Sequence, residues 1–128
     1  MSDYILPEVW ENPTSMGGAW GGLNQPTAGA RFEQTLPKGD QPFQLYTLPT
    51  PNGIKATIML EELKELGVTQ AGYDAYRIKI GDGDQFGSDF VSINPNSKIP
   101  AMMDYSEDQA VRVFESANIL LYLAEKFG

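Results

Sequence analysis

Apolar and polar positions change period several times along the chain, and each change marks an element. From residue 43 to 48, Phe43, Leu45 and Thr47 alternate with Gln44 and Tyr46 until Pro49 ends the run, the period of a short strand. Thr50-Pro51-Asn52-Gly53 then leads into Ile54, Ile58, Leu63 and Leu66, with Ile54 and Ile58 one helical turn apart. Pro51 suits a first helical turn and Gly67 a stop, so a helix is predicted over residues 51–66. Residues 73–80 read as a second strand, broken by Gly81-Asp82-Gly83-Asp84. A short helix over 88–93 is followed by the turn Asn94-Pro95-Asn96. The runs 101–104 and 111–114 flank the polar Ser106-Glu107-Asp108-Gln109 and read as a hairpin. Residues 116–127 close the pattern, with Ile119, Leu120 and Leu123 at helical spacing behind Ser116, a residue suited to an N-cap.

The order is β-α-β-α-β-β-α. A strand-helix-strand start implies a parallel pair joined by a right-handed crossover, here extended by antiparallel strands. This is the α/β order of a thioredoxin-like fold with a mixed four-stranded sheet. Residues 1–42, with Gly17-Gly18, Gly21-Gly22 and Gln25-Pro26 and no period, read as an irregular N-terminal arm, and 43–128 as the domain. The arm carries Trp10, Trp20 and Phe32, more aromatic surface than a solvated linker needs, so it is expected to pack on something.

Composition narrows the chemistry. A formal charge of −8 disfavours nucleic acid and anionic membrane surfaces and leaves small molecules or proteins as partners. The chain has no Cys, so a disulfide, an internal redox pair and a cysteine nucleophile are all excluded, and any thiol chemistry must borrow its thiol. It also has no His, which removes the usual base of a hydrolase triad and the commonest zinc ligand. The first residues lack a basic stretch and no apolar run approaches membrane-spanning length, which predicts a soluble, cytoplasmic protein.

Three places could carry chemistry. Thr50 and Asn52 stand at a helix start, where free N–H groups and the positive dipole end favour an anion such as a thiolate; equally, they could be an ordinary N-cap and first-turn residue. Ile99-Pro100 is either a cis bond that turns the Ile99 backbone toward a ligand or an ordinary trans turn. Glu115 and Ser116 could be a capping pair, or a carboxylate for an ammonium group beside a hydroxyl and helix N–H groups for a carboxylate. Gly81-Asp82-Gly83-Asp84 lacks the spacing and the downstream Glu of a calcium loop, and no metal is expected.

Leu45-Tyr46-Thr47, Thr50-Pro51-Asn52-Gly53, the run from Asn94-Pro95 through Lys98-Ile99-Pro100-Ala101, and Phe114-Glu115-Ser116 resemble, in order, the landmarks of glutathione transferases. Thr50-Pro51-Asn52-Gly53, the segment Ile80 to Phe86 and Asn24-Gln25-Pro26 in the arm are most similar to the nu class, the disulfide-bond oxidoreductase type. The resemblance implies glutathione as co-substrate, no metal, and glutathione-dependent reduction of a small disulfide, with conjugation to an electrophile as a weaker form. It implies Thr50 and Asn52 as catalytic, holding the glutathione thiolate. Binding is assigned to Asn24, Thr50, Pro51, Asn52, Gln85, Lys98, Ile99, Pro100, Glu115 and Ser116, with Ile99-Pro100 cis and Glu115 and Ser116 on the γ-glutamyl end. Asn24, Gln85 or Lys98 could instead be solvated surface groups. Tyr46 falls inside the first strand, further from the first helix than the catalytic Tyr of some relatives, and is given no such role.

The family continues past Gly128 into an all-helical domain, so the alternative is a glutathione-binding module without turnover. In that case the broad apolar band from Ile119 to Ala124 is left partly uncovered, and a homo-oligomer is expected.

Overall fold

The computed structural model describes residues 5–9, 21–24 and 28–128; Trp10, Trp20 and the side chain of Asn24 lie outside the described set. Strands β1 (Phe43–Thr47), β2 (Tyr73–Arg77), β3 (Ala101–Asp104) and β4 (Val111–Phe114) alternate with helices α1 (Gly53–Glu65), α2 (Ser88–Ile93) and α3 (Ser116–Phe127). The sheet order is β2-β1-β3-β4, with β1 parallel to β2 and antiparallel to β3, and β3 antiparallel to β4. This is the thioredoxin-like arrangement.

As a central strand, β1 is buried on both faces, so its alternation separates two apolar layers rather than core from solvent. Phe43 and Leu45 join Ala56, Leu60 and Leu63 of α1 and Ile119 and Leu123 of α3 on one side. Tyr46 joins Ile78, Phe90 and Ile93 on the other. Gln44, fully buried, is satisfied by accepting from the Gly39 N–H and by donating to the Gln41 carbonyl and Asp74. Burial, reinforced by Tyr105, Tyr76 and Asp89 nearby, pushes the Tyr46 phenol up to about 12. Its hydroxyl donates to the Pro37 carbonyl at 2.9 Å.

Two local expectations need correcting. In α1 the face turned inward is Gly53, Ala56, Leu60 and Leu63, whereas Ile54 and Ile58 are 42% and 54% exposed. The helix start lies so close to the end of β1 that a side chain on Gly53 would overlap the Leu48 carbonyl. In the first turn the small residues Gly53 and Ala56 therefore take the inner positions, Leu60 and Leu63 follow further along, and the isoleucines turn outward. Pro51 precedes the helix, with Asn52 in the cap position. In α3 the cap position is Glu115, with φ 70° and no side-chain capping bond, and Ser116 is the first helical residue. Ile119 and Leu123 are buried while Leu121 is 63% exposed.

Residues 31–42 lie against the domain. The Arg31 N–H donates to Phe86 O, and its guanidinium sits 3.5 Å over the Phe86 ring. Ser88 Oγ both accepts from the Gln34 N–H and donates to Gln34 O, and Asp89 accepts from the Leu36 N–H. At the opposite end of the sheet Asp104 is 1% exposed and receives the Tyr122 hydroxyl at 2.6 Å, the Ser106 N–H at 2.8 Å and the Lys126 ammonium at 3.2 Å.

Candidate functional site

Strand register gathers separate stretches of chain at one end of the sheet. Tyr46 pairs with Ala101, and Ala101 pairs with Phe114. The segment leaving β1 toward Thr50, the segment entering β3 through Ile99-Pro100, and the segment leaving β4 through Glu115-Ser116 are therefore neighbours. The Ile78 N–H donates to Thr47 O at 2.8 Å, which brings the chain beyond β2 to the same end. A cavity of about 220 Å³ lies there, lined by Thr50, Asn52, Ile80, Gln85, Ser97, Lys98, Ile99 and Leu23. A larger cleft of about 610 Å³, between the end of α1 and β2, holds none of the site residues inferred from sequence.

At the start of α1, Thr50 works as a local cap: its Oγ1 accepts from the Gly53 N–H at 3.0 Å and its carbonyl accepts from the Ile54 N–H at 3.0 Å. Two amides expected to be free are thus occupied. The Thr50 hydroxyl keeps its own proton to donate, since a hydroxyl accepts and donates independently. Asn52 Oδ1 accepts from the Lys55 ammonium at 2.9 Å. Its backbone N–H and side-chain NH₂ have no partner among the described residues. Thr50 and Asn52 both line the cavity, with the Thr50 hydroxyl proton and the Asn52 amides as their remaining donors.

Gln85 is 2% exposed, and its Oε1 has no hydrogen-bond partner among the described residues. That burial rules out a solvated surface role. The turn that carries it is shaped by Gly83 at φ 86° and by Asp84, whose carboxylate accepts from the Lys79 N–H at 3.0 Å. Lys98 is exposed, with its ammonium 3.4 Å from Leu23 O. Ile99-Pro100 is cis.

Five of the residues inferred from sequence, Thr50, Asn52, Gln85, Lys98 and Ile99, line the cavity. Pro51 is exposed and Pro100 buried, and neither lines it. Glu115 and Ser116 sit outside it at the start of α3, where the Ile119 N–H is the first amide to reach a carbonyl of the turn, Glu115 O, at 2.9 Å. The backbone of Asn24 ends the Gly21–Asn24 turn, and the contact inferred for its side chain lies outside the described residues. Two non-glycine residues, Ser97 and Glu115, hold positive φ at this end of the sheet, a conformation that persists where the surroundings over-determine it and that collects at functional sites. Sequence reasoning missed Asn94 and Ser97. The signal for them was Asn94-Pro95-Asn96, where an Asn side chain bonding two residues ahead builds an Asx turn.

Residues 51–126, more than half of the chain, match the family described as glutathione S-transferase, N-terminal domain. The disulfide-bond oxidoreductase YghU of Escherichia coli is 61% identical over 98% of this chain and 43% of its own length. A crystal structure of glutathione transferase YghU from Streptococcus pneumoniae, complexed with glutathione, superposes with a TM-score of 0.90 at 69% identity, over 98% of this chain and 48% of that one. A glutathione transferase from Pseudomonas putida, with one glutathione disulfide bound per subunit, gives a TM-score of 0.60 at 43% identity over 67% of this chain and 36% of its own. The chain thus spans about half the length of the curated relatives it matches. Among the described residues no helix is long and apolar enough to cross a membrane. Motif, sheet order and similarity converge: the chain belongs to the glutathione S-transferase family, as a thioredoxin-like N-terminal domain.

Proposed function

We propose that this chain is the glutathione-binding domain of a glutathione-dependent disulfide reductase. The observation that carries the reading is the cavity at the start of α1, which Thr50 and Asn52 line together with Gln85, Lys98 and Ile99. Its volume of about 220 Å³ is below the roughly 300–1,000 Å³ usual for a small-molecule pocket. It takes the central part of a tripeptide, and the γ-glutamyl end extends to Glu115 and Ser116. There the Glu115 carboxylate meets the ammonium group, and the Ser116 hydroxyl with the open amides of α3 receives the carboxylate. Lys98 offsets carboxylate charge in a chain whose net charge is −8.

A glutathione thiolate held by Thr50 and Asn52 attacks one sulfur of a small disulfide. The new S–S bond forms as the old one breaks, and the departing thiolate takes a proton. A second glutathione thiolate attacks the mixed disulfide, releasing the second thiol and glutathione disulfide. Two glutathiones lose two electrons and the substrate gains two. Lowering the thiol pKa from about 8.5 by about two units favours the thiolate by roughly 2.7 kcal/mol. The glutathione disulfide bound in the Pseudomonas putida relative supports this reading. The reduced glutathione it consumes is supplied by the cytoplasm, where we place the protein.

Calorimetric titration with reduced and oxidised glutathione tests the binding, and a coupled disulfide-reduction assay separates turnover from binding alone. Saturable binding without reduction leaves the chain a binding module, and no binding sinks the proposal.

Glu115→Ala is expected to weaken glutathione binding by about 1–3 kcal/mol through loss of a charged contact. Ser116→Ala should weaken it less. Because the side chain at the cap position, Glu115, makes no capping bond and Ser116 only follows it as the first helical residue, neither variant should move the melting temperature appreciably, and unchanged affinity in both would refute the γ-glutamyl assignment. A homo-oligomer is the state we assign to the chain. Ile54, Ile58 and Leu121 expose apolar surface on two packed helices, α1 and α3. Light scattering across a concentration series should report a mass above one chain, and Leu121→Lys should lower it.

A further inference from the structure

Lys98 and Ile99 reach the cavity from a loop without regular structure, and one side chain accounts for the loop's shape. Asn94 is 0% exposed. Its Nδ2 donates to Lys98 O at 2.7 Å and its Oδ1 accepts from the Asn96 N–H at 2.9 Å. Its backbone N–H donates to Phe90 O at 2.8 Å, and its carbonyl accepts from the Ser97 N–H at 3.0 Å. Four bonds from one residue tie the end of α2 to the whole turn and hold Ser97 at φ 53°.

The bond to Lys98 O has a further consequence. The Lys98–Ile99 peptide is planar and trans, so its C=O and N–H point in opposite directions. Fixing the carbonyl on buried Asn94 aims the Ile99 N–H the other way, and that N–H has no partner among the described residues. Ile99 itself lines the cavity.

We infer that Asn94 is a positioning residue: by holding the Lys98 carbonyl it directs the Ile99 N–H as a donor to a peptide carbonyl of the ligand. This rests on the glutathione reading above. Asn94→Asp keeps the acceptor for Asn96 but replaces the donor with a carboxylate oxygen facing Lys98 O. Protonation of that carboxyl, whose pKa burial raises, restores a donor.

The test titrates reduced glutathione into the full wild-type and N94D chains from pH 8 to pH 5, and follows hydrogen exchange of the Ile99 amide with and without ligand. The expected result is binding about tenfold weaker in N94D at pH 8, a ratio to wild type that closes toward pH 5, and an Ile99 amide protected by ligand in wild type only. Should the buried carboxylate unfold the chain, Asn94→Ala carries the affinity and exchange comparison at one pH. Equal affinity at pH 8, or weakened binding with the Ile99 amide still protected, overturns the inference and leaves the glutathione reading standing. No saturable binding by the wild type overturns both.

Discussion

Replacing Gly53 with Ala is expected to cost about 3 kcal/mol of stability, at the upper end of the usual range for overpacking, and to remove most of the glutathione affinity. A methyl group there would overlap the Leu48 carbonyl oxygen and crowd Thr47 Oγ1. Neither can yield independently, since Leu48 O accepts from the Thr50 N–H at 2.7 Å and Thr47 Oγ1 donates to Gly53 O at 3.1 Å. The start of α1 must move away from the end of β1, and the Thr50 bond to the Gly53 N–H moves with it. Chemical denaturation with calorimetry on the same samples measures both losses. Gly81→Ala is the control, because a methyl group at Gly81 meets nothing within 4 Å. A Gly53→Ala chain as stable as the control would show that the contact between α1 and the end of β1 can open to admit a methyl group.

Asp104→Ala should be about as costly, also near 3 kcal/mol, the lower end of the range for breaking a buried ionic contact because Lys126 keeps some access to water. Burial pushes the Asp104 carboxyl up, but the hydrogen bonds from Tyr122, Ser106 and Lys126 outweigh it and hold the group below its ordinary value of 3.8. A carboxyl depressed on folding stabilises the fold above its unfolded pKa, and that contribution is lost as pH falls below 3.8 toward the folded value. Tyr122 fails from the other side. Burial and the bond to Asp104 push its phenol up from 10.0 to about 12, so its contribution is present below pH 10.0 and lost as pH rises through 12. Thermal melts across pH should show both limbs in the wild type. In Asp104→Asn the acid limb should flatten, and an unchanged acid limb would place the proton uptake elsewhere.

Element boundaries marked by turn chemistry were legible in the sequence. Ser88–Ile93, between a glycine and Asn94-Pro95, and the strands on either side of the polar 106–109 turn lie where the residue pattern puts them. Facing was harder to read. The spacing of Ile54 and Ile58 describes a helix but not which side of it meets the sheet, and the close approach at Gly53 decided that. The alternation in β1 describes a strand but not what its second face meets, and there the Gln44 amide is satisfied inside the fold by Gly39, Gln41 and Asp74. Ser116 has the chemistry of a cap, but the left-handed turn at Glu115 moves the cap back by one residue. Thr50, Asn52, Gln85, Lys98 and Ile99 could be named from motifs far apart in the chain, and strand register explains why they meet. The part played by Asn94 could not be named, because it depends on which way one peptide plane faces.

The strand order also governs how copies of the chain can meet. The two outer strands, β2 and β4, carry Asp74 and Arg77 on one side and Arg112 on the other. Asp74 is further capped by the arm, accepting from the Gln41 N–H at 3.0 Å. Charged side chains on border strands guard against edge-to-edge growth of a sheet. The homo-oligomer proposed above would therefore form through the apolar helix faces and not through the edges of the sheet.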